Sequence, residues 1–419
     1  MSLLIKNGYC LGEKEGHLDV LVEDDRIVSL EKGIEAEVDT VIDADNCIVL
    51  PAFCNAHTHL AMSLFRGMAD DLNLMEWLNN HIFPAEAKYV DSEMVYWCSS
   101  LSMLEMIRSG TACFADMYFY EEQVARAAMR IGMKAMIGEG ILDFKTPDAS
   151  SAREAIEKTK ALKREFESET IKVSYAPHST YTLSEESLRL VADAADDGSP
   201  VQIHVNESSE EITTVMRTKG KRPMDVLKET GLLDKDIYLV HCVASSDDDI
   251  RMMKAKGCSV VNVPQSNLKL ASGIAPMYKM ERMGIDIFIG TDGPASNNNL
   301  DIIEELRVMS LIQKALSRDS TVVGAKKSLA IGTNSLFENS GKLSAGYKAD
   351  IVVISTDSFE AIPMYNPYSY LAYAANSRDV RCVIIDGKVV YKDGEFTTVD
   401  KDEIVFEVKR IAKKLGAVF

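Results

Sequence analysis

The middle of the chain repeats one arrangement of apolar and polar positions. A short run rich in β-branched residues gives way to a polar loop, then to a stretch with helical spacing, then to a glycine and the next run. Eight such runs, at 47–59, 111–119, 133–143, 171–179, 200–207, 237–243, 258–267 and 286–293, are apolar on both alternating faces. Strands of that kind belong to a parallel sheet covered on both sides. Between 92 and 109, Val95, Leu101, Leu104 and Ile107 carry helical periodicity, and Gly110 ends it. Gly132, Gly198, Gly231, Gly257 and Gly284 likewise precede strands, as helix-ending glycines do. Ser184 and Ser246 stand as N-caps ahead of acidic first turns. Eight strand–helix units predict an α/β fold, a closed TIM-like (β/α)8 barrel. No glycine-rich dinucleotide fingerprint follows the first run, which counts against an open doubly wound sheet.

Both ends of the chain break this rhythm and alternate in strand fashion, at 18–22 and 26–30 and again at 350–354, 381–386 and 388–391. Asp386-Gly387 between apolar runs is a hairpin signal. Neither end has enough apolar surface for a core of its own. Residues 1–50 and 345–419 are therefore expected to form one small composite β-domain with a helix over 402–415, and 51–344 the barrel.

Composition narrows the functional classes. At 419 residues and 46% hydrophobic, the chain can bury a large core. Its net charge of −18 argues against nucleic acid or an anionic membrane as partner, since both demand a basic face. No window approaches the roughly 18 apolar residues of a membrane span, and the first ten residues do not read as a signal peptide. The eight cysteines are scattered without a CxxC pair, which suits buried reduced thiols and a cytoplasmic location. Barrels of this size commonly associate, so a homo-oligomer is expected.

Candidate chemistry gathers at the strand ends. His57 and His59, His178, His204 and His241 all close predicted strands, and Asp292 closes the eighth. In a parallel barrel those ends converge on the face where catalytic groups lie. Residues i and i+2 of a strand point to one side, so His57 and His59 can reach a single ion. His204 and Asp292 complete a mixed imidazole–carboxylate set, which suits one zinc ion, or less decisively iron or another divalent metal, with a position open for water. Glu207, three residues after His204, is placed to pass a proton beside that water. His241 is placed to face the reacting centre, a core imidazole or a second-metal ligand being the alternatives.

These motifs resemble the amidohydrolase superfamily along the whole chain. Within it the chain is similar to the S-adenosylhomocysteine/5′-methylthioadenosine deaminases and the related 5′-deoxyadenosine deaminases. The resemblance rests on residues 51–59, Leu64-Phe65-Arg66-Gly67, Glu76-Trp77-Leu78, Pro84-Ala85-Glu86, Ala176-Pro177-His178-Ser179, 204–207, Val240-His241-Cys242, Asn267-Leu268-Lys269-Leu270 and 290–298. It implies that His57, His59, His204 and Asp292 are metal ligands, Glu207 the proton-shuttling acid and His241 the imidazole beside the attacking hydroxide. Glu86 corresponds to a carboxylate that accepts from the ribose hydroxyls, a task suited to an acceptor-only group. His178 corresponds to a purine contact. Trp77 and Ser296 would line the nucleoside pocket, simple packing being the alternative for Trp77. The implied reaction is hydrolytic deamination of adenine nucleosides with a modified 5′ position (5′-deoxyadenosine, 5′-methylthioadenosine, S-adenosylhomocysteine, or adenosine itself) to the inosine-type product and ammonia.

Two departures bear on this. Another branch of the superfamily bridges two metals with a lysine at the end of strand four, but here Lys172 stands at that strand's start, so one metal is expected. Relatives that accept S-adenosylhomocysteine often carry an arginine at the end of strand three, where this chain has Glu139. A carboxylate there would repel the homocysteine carboxylate and favour a small uncharged 5′ group; Arg153, at the start of a predicted helix, could supply one contact, facing solvent being the alternative. The rival readings are deamination of a free base such as guanine or cytosine, ring-amide hydrolysis, and an inactive nucleoside-binding barrel.

Overall fold

The chain changes sheets at Ala52. In the computed structural model, which describes residues 2–418, Cys47–Pro51 runs antiparallel to Ile351–Ser355, and Phe53–Thr58 then enters the barrel. The backbone donors hand over within one residue: Ala52 N reaches Asp350 O and Phe53 N reaches Gly110 O, each at 3.0 Å. The single strand expected over 47–59 is thus two, because both sheets bury both faces there and the apolar run continues across the switch.

The barrel strands are Phe53–Thr58, Thr111–Tyr118, Lys134–Ile141, Ile171–Val173 continued by Ala176–Pro177, Val201–Val205, Ile237–His241, Ser259–Asn262 and Asp286–Ile289. The first to fourth pair in parallel, as do the fifth to eighth. Two seams close the ring. Tyr175 N donates to Pro200 O at 2.9 Å and His204 N to His178 O at 3.1 Å on one side; Asp292 N donates to His57 O at 3.0 Å on the other. The fold is the expected (β/α)8 barrel. The seventh strand stops short of the expected 258–267, because Pro264 opens a helical turn, Pro264–Lys269.

Outer helices follow the capping chemistry of the sequence. Ser184 and Ser246 accept from Ser187 N and Asp249 N, and Gly132 and Gly257 end their helices at φ 90° and 69°. Leu336 and Phe337 plug the end of the barrel interior away from the strand C-termini, against Cys54, Met136 and Phe288. Lys172 donates to Leu336 O at 2.9 Å, at this plugged end.

Both termini contribute to a seven-stranded sheet, in which Cys47–Pro51 lies between Ile351–Ser355 and Tyr9–Leu11. Its strands alternate between two cores. Ile48, Leu50, Val352, Ile354, Val383 and Ile385 join the barrel's core, whereas Cys47, Val49, Ile351, Val353, Cys382 and Ile384 face a second core. That second core is roofed by a separate four-stranded sheet of Ser2–Lys6, Asp19–Glu23, Arg26–Glu31 and Thr40–Asp43, rather than by one common sheet. The closing helix, Lys401–Lys413, is tied to barrel helices: Glu403 pairs with Arg130 at 2.6 Å, and Arg410 with Glu93. All eight cysteines are free and buried. No described helix is long and apolar enough to cross a membrane.

Candidate active site

His57 and His241 lie within the last two residues of their strands, His204 lies one residue from its strand's end, and His59 and Asp292 lie just beyond theirs. One ligand atom from each of His57, His59, His204 and Asp292 falls within 4.8 Å of all the others. Asp292 Oδ1 sits 3.4 Å from His57 Nε2 and 3.2 Å from His59 Nε2. The Nε2 atoms of His57 and His204 face each other at 3.1 Å. Imidazole nitrogens at that separation are suited to a shared cation.

The outer ring nitrogens explain the orientation. His59 Nδ1 lies 2.6 Å from Met117 O and His204 Nδ1 2.9 Å from His178 O. A carbonyl only accepts, so each Nδ1 carries a hydrogen and each Nε2 is turned inward. Burial pushes the His57 imidazole down to about 4, which keeps it neutral and able to ligate. Burial also opposes charge on His59, but Asp292 outweighs it and holds that ring at about 9. Burial disfavours the Asp292 carboxylate, and His57 and His59 overrule it, keeping the group well below the usual range. A neutral-to-anionic set of three imidazoles and one carboxylate, aligned by backbone carbonyls, fits one divalent metal.

Backbone strain marks the same strand ends. Asn206, His241 and Asp292 adopt φ of 52°, 71° and 64°, a left-handed conformation uncommon for residues with a side chain. The second oxygen of Asp292 accepts from Ser266 Oγ at 2.6 Å and Ser296 Oγ at 2.9 Å. Ser296 therefore stands behind Asp292 and does not line the cavity, contrary to expectation. The short helix Pro294–Asn297 turns its hydroxyl back toward the carboxylate.

Glu207 and His241 face each other across the cavity floor, with Glu207 Oε2 3.8 Å from His241 Nε2. Burial raises the Glu207 carboxyl above its ordinary value. Its backbone N–H donates to Glu211 Oε2 at 2.7 Å, and burial pushes Glu211 itself up to about 8. Above this floor an apolar cavity opens, lined by Trp77, Leu78, Ile82, Phe83, Phe119 and Leu142 among others, with Glu86 and His178 also on its wall. Leu74–Trp77, a wide helical turn Leu78–Ile82 and Phe83–Tyr89 supply one side, inserted before the first long barrel helix, Ser92–Arg108. Glu86 is 5% exposed, and burial pushes it up to about 7. Burial pushes His178 down to about 3, so it is neutral, with Nδ1 3.3 Å from Thr182 Oγ1.

Glu139 is not where the sequence reading put it. Its neighbour Gly140 lines the cavity, and alternation along Lys134–Ile141 turns Glu139 to the opposite face, into the helix layer. There it lies 3.4 Å from Glu121 N, where burial, then Asp148 beside it, raises its carboxyl well above the ordinary value, and it faces away from any substrate in the cavity. Arg153 is exposed and pairs with Glu186 at 3.1 Å. Sequence reasoning missed Tyr181, whose buried hydroxyl has no protein partner and whose side chain lines the cavity. Its signal was available, since it lies three residues after His178 in a loop that follows a barrel strand. Tyr118, also on the cavity wall beside Glu86, was missed too.

Residues 48–390 match the model of the amidohydrolase family. The 5-methylthioadenosine/S-adenosylhomocysteine deaminase of Pyrococcus horikoshii is 38% identical over 416 residues, 97% of this chain and 98% of that protein. The 5′-deoxyadenosine deaminase of Methanosarcina mazei is 37% identical over 429 residues, 99% of each chain. The crystal structure of a Xanthomonas campestris adenosine deaminase with bound zinc superposes with a TM-score of 0.96 at 31% identity, covering 99% of both chains. The match takes in the barrel and most of the terminal sheet, and these relatives align over nearly the whole chain. The chain belongs to the amidohydrolase family.

Proposed function

We propose that the chain is a zinc-dependent deaminase that removes the exocyclic amine of adenine nucleosides bearing a small uncharged 5′ group. The observation that carries this reading is a buried acid and imidazole, Glu207 and His241, facing a His57–His59–His204–Asp292 cluster at the floor of an apolar cavity with a carboxylate, Glu86, on its wall. When bound, a divalent ion at that cluster makes water acidic enough to attack at neutral pH.

The chain's residues supply the rest. Glu207 donates its proton to purine N1, which draws electrons from C6 as the water oxygen bonds there. Asp292 accepts one proton of that water and returns it to the departing amine. The C6–N bond then breaks and ammonia leaves, and the C6 hydroxyl returns its proton to Glu207 as the carbonyl of the inosine-type product forms. His241 faces the added oxygen and steadies it. The apolar walls exclude bulk water, and His178 and Trp77 flank the base. Glu86 accepts from the ribose diol, which a free base lacks, so a nucleoside suits this cavity better than guanine or cytosine.

The preference at the 5′ end rests on the wall itself, now that Glu139 is removed from the argument. Leu74, Leu78, Ile82, Phe83 and Leu142 line it, and no lysine or arginine is among the lining residues, so a homocysteine carboxylate finds no cation. The Pyrococcus horikoshii relative is named for both methylthioadenosine and S-adenosylhomocysteine, so these two substrates are the ones to compare. An ammonia-release panel over 5′-deoxyadenosine, 5′-methylthioadenosine, adenosine and S-adenosylhomocysteine tests it, with Glu207→Gln as control. The expected result is activity that chelation abolishes and zinc restores, kcat/KM lowest for S-adenosylhomocysteine, and loss of turnover by several orders of magnitude in the variant with its metal retained. Equal or better use of S-adenosylhomocysteine would refute the 5′ preference; wild-type turnover in the variant would refute the role of Glu207.

A further inference from the structure

His241 is held by one ring nitrogen and works through the other. Nε2 faces the cavity, 3.8 Å from Glu207 Oε2, while Nδ1 lies 2.9 Å from Oδ1 of Asn267. Asn267 is 2% exposed and is not among the residues lining the cavity. Its turn is fixed independently of His241. Gln265 N donates to the buried carboxylate of Glu305 at 3.1 Å, and Ser272 N donates to Asn267 O at 2.9 Å. The imidazole itself hangs from a backbone at φ 71°, so the strand end sets where the ring starts, and Asn267 sets how it is turned.

We propose that Asn267 is a positioning residue that keeps the proton of His241 on Nδ1 and leaves Nε2 a bare acceptor; its part in turnover rests on the deaminase reading above. A side-chain carbonyl only accepts, so in the neutral ring the hydrogen must lie on the nitrogen it faces. A bare Nε2 then accepts a hydrogen bond from the attacking water. The water has two hydrogens: one goes to Asp292, and the other points at Nε2. After addition the same hydrogen bond runs from the new C6 hydroxyl to Nε2, so His241 orients the oxygen before and after the bond forms without itself changing protonation. With the opposite tautomer, an Nε2–H would aim a donor at a water whose lone pair must reach C6.

The test combines a spectroscopic reading with kinetics on the metal-loaded enzyme. Nitrogen-15 NMR of histidine-labelled protein is expected to show His241 protonated on Nδ1 and bare on Nε2, and to show a tautomer mixture in Asn267→Ala. The alanine variant is expected to lose about 10²-fold in kcat, with KM within a few-fold and one metal per chain retained. Asn267→Asp also presents an acceptor, so it is expected to keep the Nδ1 proton and recover most of the loss. A wild-type proton on Nε2, an aspartate variant as impaired as alanine, or a loss confined to KM or to metal content would each overturn the proposal. The NMR arm needs no substrate. A wild-type enzyme that shows the Nδ1 tautomer but releases no ammonia would therefore refute the deaminase reading and leave the Asn267 contact standing.

Discussion

Glu86 is a carboxylate made expensive by its surroundings. Burial lifts it to about 7, so its charged form is costly in the free cavity. Ribose hydroxyls would relieve that cost by donating to it, and a hydrogen bond to a charged group contributes about 1.5–3 kcal/mol. Glu86→Gln is therefore expected to raise KM for 5′-deoxyadenosine by about 10- to 100-fold, with a smaller change in kcat. A 2′,3′-dideoxy adenine nucleoside has no diol to offer, so on that substrate wild type and variant should converge. If the variant keeps the wild-type preference for the diol, the carboxylate is not what reads it.

Strand ends act here as fixtures, and their closeness is a matter of backbone. Gly290 faces the first barrel strand so tightly that an added Cβ would stand 2.8 Å from His57 N, 2.9 Å from His57 O and 3.0 Å from His57 Cβ. The neighbour is main chain of the ligand-bearing strand, so it cannot swing aside. Gly290→Ala is expected to spread the seam, cost about 1–3 kcal/mol and weaken metal binding roughly 10-fold or more, measured by competition with a chelator. Gly324→Ala is the control, because a Cβ there meets nothing closer than Thr321 O at 3.9 Å. Unchanged metal affinity in Gly290→Ala would show that the seam tolerates opening.

The same strands explain what could be read in the sequence. His57, His204, His241 and Asp292 stood out because polar groups ending apolar runs have few bland explanations. Glu139 did not yield to that logic. Its strand is buried on both faces, so the pattern carries no parity, and only the register shows that Gly140 and not Glu139 faces inward. Trp77 and Glu86 lie on an inserted helical segment that no strand-end rule reaches, so resemblance alone singled them out. The sheet switch at Ala52 was invisible because hydrophobicity does not record which sheet a strand joins.

On the scale of the whole molecule, one lysine joins the barrel to the terminal sheet. Lys134 begins the third barrel strand, is 1% exposed, and reaches Asp350 Oδ2 at 2.7 Å and Asp386 Oδ1 at 2.6 Å. Asp350 also accepts from Ser340 Oγ at 2.7 Å and from Asp386 N at 3.0 Å, and its carbonyl receives Ala52 N where the chain changes sheets. Burial works against the ammonium, and Asp350 and Asp386 outweigh it, so its pKa is raised above the ordinary lysine value. A raised lysine contributes fully below its unfolded pKa and loses that contribution only as pH climbs through the folded value, so the lysine's share of the pairing is fully present at neutral pH, while burial raises the Asp386 carboxyl. Removing one partner of a buried pair leaves uncompensated charge, typically costing about 3–5 kcal/mol, whereas removing all the charges can be nearly neutral. Lys134→Met is therefore expected to lower stability by about that amount in denaturant unfolding, and to release the terminal sheet first, seen as faster hydrogen exchange in Ile351–Ser355 than in the barrel strands. Lys134→Met combined with Asp350→Asn and Asp386→Asn should recover most of the loss. If the triple variant is as weak as the single one, the bridge holds the two parts by shape and hydrogen bonding rather than by charge.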